Sequence, residues 1–111
     1  MKVSEIVNEL GLKVFSGEKG LDREVTGGYV SDLLSDVMGN AKENQVWITL
    51  QVHQNVMAIA SLKDMAAVIL VKGCQPNENT MQHSESESIP ILGTELSTFE
   101  TAGRLYQLLN C

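Results

Sequence analysis

The stretch GLDREVTGGYVSDLLSDVM, Gly20 to Met38, places Asp22 and Arg23, then Thr26 and the adjacent Gly27 and Gly28, ahead of an apolar run with helical spacing. An acid–base pair, a hydroxyl and two glycines suit either a phosphate cradle or a tight turn. Adjacent glycines allow positive φ and let another group approach the backbone closely, which both need. A nucleotide-hydrolysing loop would require G-x-x-x-x-G-K-[ST], whose lysine reaches the β and γ phosphates and whose hydroxyl ligates magnesium. No segment of the chain carries it. Only Arg23, with Lys19 further off, offers charge to a phosphate here. That favours a bulge or tight turn at Gly27 and Gly28, with Asp22 and Arg23 fixing the loop by hydrogen bonds and an ion pair.

A second constellation lies downstream. Gln51 and His53 end a strand-like run and Asn55 stands near a helix start, so the three project polar groups at the carboxyl edge of a sheet. Lys72, Gly73, Thr94, Ser97 and Thr98 reach the same edge from two neighbouring strands. In parallel α/β sheets ligands bind at that edge, where strand order reverses. Ser97, followed by Glu100 in capping-box spacing, reads as a helix N-cap instead of a nucleophile. His53 and His83 are the only histidines, and His83 has only Glu85 and Glu87 near it in the polar HSESES run, a solvated patch. A dedicated metal site would need three or four fixed ligands, so none is assigned. Asp32, Asp36, Glu85 and Glu87 fall on polar faces, not in a pocket that could pair them for acid–base work. No catalytic residue and no cofactor are expected.

The elements that must hold these residues follow from periodicity. Ile6, Val7 and Leu10 behind Ser4 read as a short helix with a serine N-cap, stopped by Gly11. Leu12 to Phe15 is extended, Ser16 to Gly20 a loop, Val25 to Val30 a short strand or bulge, and Ser31 to Met38 a helix ended by Gly39 and Asn40. Strands Val46 to Val52, Ala67 to Val71 and Ile89 to Leu92 then alternate with helical segments Asn55 to Lys63, Asn77 to Glu85 and Thr98 to Leu109. AAVILV and IPIL lack polar alternation, which predicts a sheet covered on both faces. The fold class is α/β, a mostly parallel central sheet flanked by helices. PNENTMQHSESES has only Met81 as a large apolar anchor and reads as a mobile helix or a loop. NVMAIASLK is apolar nearly all round, so it should pack on two sides.

Composition sets outer bounds. The 111 residues suit one domain, 1–111, without linker or repeat. A formal net charge of −6, with scattered lysines and arginines, excludes nucleic acid as a partner. The longest apolar run, Ala66 to Val71, falls far short of the roughly 20 residues that span a bilayer. Without a signal-type segment the chain is expected in the cytoplasm, with Cys74 and Cys111 as free thiols and Cys111 exposed.

Asp22, Arg23, Thr26, Gly27 and Gly28, with Glu24 and Val25 between the pairs, resemble the signature of the DRTGG domain family. The likeness extends over nearly the whole chain, through AKENQVWITLQVHQNVMAIA, AAVILVKG and IPILGTELSTFETAGRLY in that order. The resemblance implies a fold like the N-terminal domain of HPr kinase/phosphorylase, whose kinase activity belongs to a domain this chain lacks. It also implies a regulatory or structural module, found alone or fused to CBS-pair or phosphotransacetylase-like proteins, that self-associates. The expected function is therefore a homodimeric, non-catalytic module acting on a partner enzyme or CBS-pair protein. The alternative is a sensor that binds an adenine nucleotide at the carboxyl edge of the sheet. The apolar circumference of Asn55 to Lys63 places that helix, or the Gly27-Gly28 loop, at the expected two-fold axis.

Overall fold

The computed structural model describes residues 1–110; Cys111, expected to be an exposed thiol, lies outside the described residues. The chain runs α1 (Val3–Leu10), β1 (Lys13–Ser16), a short 3-10 turn (Glu18–Gly20), β2 (Gly27–Val30), α2 (Leu34–Asn40), β3 (Gln45–Thr49), α3 (Asn55–Leu62), β4 (Ala67–Leu70), α4 (Glu78–Glu87), β5 (Ile91–Gly93) and α5 (Thr98–Leu109). Five strands form one sheet in the order β1-β5-β4-β3-β2. β2, β3, β4 and β5 are parallel neighbours and β1 pairs antiparallel with β5.

From β2 to β5 every crossover moves one strand in the same direction. The four parallel strands therefore contain no reversal of order, and the expected ligand crevice at a switch point has no counterpart among them. Strand alternation sends Val46 and Ile48 to one face and Trp47 to the other. The first face packs Val3 and Ile6 of α1 and Leu105 of α5 over Ala67, Ile69 and Leu92. The second packs Val37 of α2 and Val56, Met57, Ile59 and Ala60 of α3 over Val68, Leu70 and Ile91. Both faces are covered, as the apolar strand runs required.

The N-terminal helix departs from its expected cap. Lys2, not Ser4, is the N-cap, and the Lys2 amide donates to Glu5 Oε1 at 2.9 Å. The amides of Val3 and Ser4 donate to the carbonyls of Arg23 (3.0 Å) and Leu21 (2.8 Å). Helix-start donors need acceptors, and the loop ahead of β2 supplies them in place of a serine hydroxyl. Gly11, at φ 64°, closes the helix as read.

Candidate functional site

The Asp22–Gly28 signature is spent largely on the fold. Arg23 reaches across to the C-terminus of α4: Nε donates to Ser88 O at 2.8 Å, one terminal nitrogen donates to Glu87 O at 3.3 Å, and the other pairs with Asp64 Oδ1 at 3.2 Å. Its carboxylate partner is thus Asp64, not the neighbouring Asp22, which is exposed. Ser88 sits at φ 54° as the left-handed cap of α4, where carbonyls lack helical partners, and a guanidinium fork satisfies two of them. Those bonds leave Arg23 committed, so the loop offers no free guanidinium to a phosphate.

Gly27 and Gly28 form neither a turn nor a bulge. Both lie in β2 in regular register with Gln45 and Val46, and neither has positive φ. Gly28 gives α5 room instead: a Cβ there would stand 3.1 Å from Leu105 Cδ2, so that buried side chain would have to give by a few tenths of an ångström. At Gly27 the nearest atom would be at 3.8 Å, an ordinary contact.

The carboxyl edge divides into a closed half and an open half. On β3, the Thr49 hydroxyl and the Leu50 amide both donate to Asp32 Oδ1 at 2.8 Å, and Gln51 Nε2 donates to Asp32 O at 2.9 Å. Trp47 Nε1 donates to Ser31 O at 2.8 Å just beneath. Gln51 therefore closes its end of the sheet. His53 Nδ1 faces Asn77 Nδ2 at 3.2 Å, and Asn55 opens α3 as an exposed residue. Ser97 is the N-cap of α5, accepting from the Glu100 amide at 3.2 Å, and Thr98 is that helix's first residue.

Gly73 and Thr94, by contrast, line a cleft of 440 Å³ at the ends of β4 and β5, together with Lys13, Phe15, Glu95 and Arg104. The Gly73 amide donates to Thr94 O at 2.9 Å and the Lys72 amide to Leu96 O at 2.8 Å, which ties the two strand ends together. Lys72 and Gly73 are consecutive left-handed residues, at φ 58° and 72°.

A second concavity, of 330 Å³, lies between β2 and α5. Thr26, Gly27, Gly28 and Val30 form one wall and Leu105, Tyr106 and Leu109 the other, with no Asp, Glu, Lys, Arg or His in the lining. Val30 is 49% exposed and Tyr106 72% exposed beside the exposed polar Thr26 and Asn110, so the mouth is uncharged as well.

The DRTGG domain model matches residues 5–108. The chain belongs to the DRTGG domain family. No curated protein matches it. The domain is similar to the crystal structure of the CBS and DRTGG domains of the regulatory region of Clostridium perfringens pyrophosphatase, complexed with activator, diadenosine tetraphosphate. The TM-score is 0.66 at 14% identity, over 94% of this chain and 45% of that one. The chain thus corresponds to less than half of that structure, and the likeness is one of fold.

Within this DRTGG domain the sequence-expected residues fall in separate places. Thr26, Gly27 and Gly28 meet at the β2–α5 groove, and Gly73 and Thr94 at the carboxyl-edge cleft. Gln51, His53 and Asn55 line neither. Asp32, read only as a polar-face residue, organises the end of β3. The meeting of Lys13, Glu95 and Arg104 has no signal in the sequence, because it depends on β1 lying beside β5, far away along the chain. Among the described residues no group of three or more His, Cys, Asp and Glu is placed to hold a metal, and no helix is long and apolar enough to cross a membrane. Cys74 is a half-buried free thiol.

One electrostatic contact flanks α2. Tyr29 Oη donates to Asp36 Oδ2 at 2.9 Å. The hydrogen bond to Asp36 raises the Tyr29 phenol above its ordinary value, and the same bond lowers the Asp36 carboxyl, with further help from Ser31 and Asn40.

Proposed function

We propose that this DRTGG domain is a non-catalytic regulatory module that acts on a partner protein as a homodimer, joined through the β2–α5 groove. The observation that carries the reading is an uncharged open edge on a chain of net charge −6. β2 is paired on one side only, and Thr26 to Ser31 contains no charge and no proline, while the register with β3 shows no bulge. Charge, proline and a bulge are among the usual devices that keep an edge strand from pairing with another chain. An edge without them, walled by exposed Val30 and Tyr106, suits a second copy of itself.

A two-fold axis beside β2 would set the same surface against itself, and closed two-fold pairs are the commonest homo-oligomers. A stable interface of this kind buries roughly 800 Å² per partner. The interface expected at α3 has less motive, because Val56, Met57, Ile59 and Ala60 are buried within the chain and only Ala58 and Leu62 of its apolar residues stay exposed. The resemblance to a regulatory region, in which a DRTGG domain accompanies CBS domains, supports regulation over catalysis and an enzyme or CBS-pair protein as the partner class.

Light scattering coupled to size exclusion should report twice the chain mass. Val30→Lys, which places a charge on the edge without touching the core, should shift it to the monomer while circular dichroism stays unchanged. A wild-type protein that stays monomeric at high micromolar concentration would sink the reading.

A further inference from the structure

The carboxyl-edge cleft has a charge character opposite to that of the chain. Lys13 and Arg104 face it with one carboxylate, Glu95, in a protein of net charge −6. Among the described residues the ion pairs are Met1 with Glu24, Arg23 with Asp64 and His83 with Glu87. Lys13, Arg104 and Glu95 belong to none of them. Three unpaired charges converging on one concavity is a different matter from single charges scattered over a surface, because a ligand can engage all of them together.

The backbone keeps the cleft open. A Cβ at Gly73 would come within 2.9 Å of Glu95 Oε1, so the bare Cα makes room for that carboxylate. At Gly93 a Cβ would collide with the Phe15 ring, which therefore lies directly on the strand and forms one wall. Lys13 Nζ stands 4.9 Å from the centre of that ring, an arrangement that holds the ammonium at the cleft. At 440 Å³ the cleft lies in the lower part of the about 300–1,000 Å³ range of small-molecule sites.

We infer that this cleft binds a small metabolite bearing one anionic group, a carboxylate or a single phosphate, and an N–H donor away from it. Lys13 and Arg104 take the anion, Glu95 accepts from the N–H, and Phe15 and Leu96 border the apolar body. Two cations balance one such anion and would leave a polyphosphate chain largely uncompensated. The site shares no lining residue with the β2–α5 groove, so it stands or falls independently of self-association.

The test is NMR titration of the isotopically labelled full chain with three probes: AMP, L-glutamine and inorganic phosphate. AMP and glutamine each join one anionic group to N–H donors, on a phosphate and a carboxylate respectively, and phosphate alone lacks the donor. At least one of the first two should shift the amides of Gly73, Thr94 and Glu95 saturably, at least about tenfold more tightly than phosphate, since a hydrogen bond to a charged group contributes on that scale. Which of the two does so identifies the anionic head. Lys13→Glu and Arg104→Glu should each weaken that binding by at least about tenfold. Glu95→Met, which removes the acceptor at similar size, should erase the preference over phosphate. These side chains are exposed, and circular dichroism should show each variant folded. Absence of saturable shifts with both AMP and glutamine at millimolar concentration, shifts confined to other surfaces, or unchanged binding in folded Lys13→Glu and Arg104→Glu would each overturn the inference.

Discussion

α3 and α4 lie against one another on the same side of the sheet, yet opposite physics holds them there. α3 buries Val56, Met57, Ile59 and Ala60 and needs no side-chain cap. α4 buries only Thr80 and Ser84. Its anchors are hydrogen bonds: Thr80 Oγ1 to Val52 O at 2.8 Å, Ser16 Oγ to Ser84 Oγ at 2.9 Å, Ser84 Oγ to Ile89 O at 2.6 Å, and the Gly17 amide to Glu85 Oε1 at 2.7 Å. Arg23 closes its C-terminus. Apolar burial is non-directional and tolerates small shifts, whereas polar anchoring works only if each donor meets its acceptor. One helix is fixed by volume and the other by geometry.

The largest effect should come from breaking the volume-fixed helix. Met57 is fully buried, and Met57→Ala should cost about 2–5 kcal/mol through lost transfer energy and the cavity left behind. Chemical denaturation measures it, and a loss under 1 kcal/mol would mean that α3 repacks as freely as a surface helix. Ser84→Ala should come next, at about 1–3 kcal/mol, because it leaves the buried Ser16 hydroxyl without its acceptor and Ile89 O without this donor. Local hydrogen exchange should rise in α4 and not in α3; equal rises would erase the distinction between them. Arg23→Ala should cost less, about 1–2 kcal/mol, since the side chain is partly exposed and its ion pair with Asp64 contributes little. Arg23→Lys should recover only part of that, because an ammonium cannot bridge the Ser88 and Glu87 carbonyls as a planar fork does.

The same contrast explains what could be read from sequence. The apolar rhythm of Val46 to Leu109 gave up three strands, their parallel sense and the apolar helix, because burial writes itself into residue type every few positions. NVMAIASLK packs through Val56, Met57, Ile59 and Ala60 on neighbours within the chain while Ala58 and Leu62 stay exposed, and periodicity cannot distinguish such neighbours from a partner. HSESES reads as a solvated patch, and Glu85, Ser86 and Glu87 are indeed exposed, but the run also carries buried Ser84, which anchors the end of α4, since serine signals such a role only through the partner it meets. Gly28 illustrates the same limit: residue type shows that a side chain is missing, not that Leu105 packs close against the vacant position. The carboxyl edge was half legible, through Gly73 and Thr94, because strand ends follow from strand positions. Its charges were not, because Lys13 arrives on the antiparallel strand at the far edge of the sheet.

The smallest effect belongs to a polar contact that is only partly buried. Tyr29 and Asp36 make a hydrogen bond of 2.9 Å, the length of the one between Ser16 and Ser84, but it is only partly buried, so water competes for both groups. If geometry-fixed contacts matter because they are buried, Tyr29→Phe should destabilise far less than Ser84→Ala at neutral pH. The pH dependence identifies the contact. Folding lowers the Asp36 carboxyl below its ordinary value of 3.8, so its contribution is present above that value and is lost as pH falls through the lower, folded-state value. Folding raises the Tyr29 phenol above 10.0, so that contribution is intact below 10.0 and is lost as pH rises through the higher, folded-state value. The difference between wild type and Tyr29→Phe should therefore be flat across the neutral range and shrink at both extremes. Urea denaturation across pH measures it. A difference that instead varies around neutrality would point to another titrating group, and one as large as that of Ser84→Ala would show that burial is not what makes the anchors of α4 count.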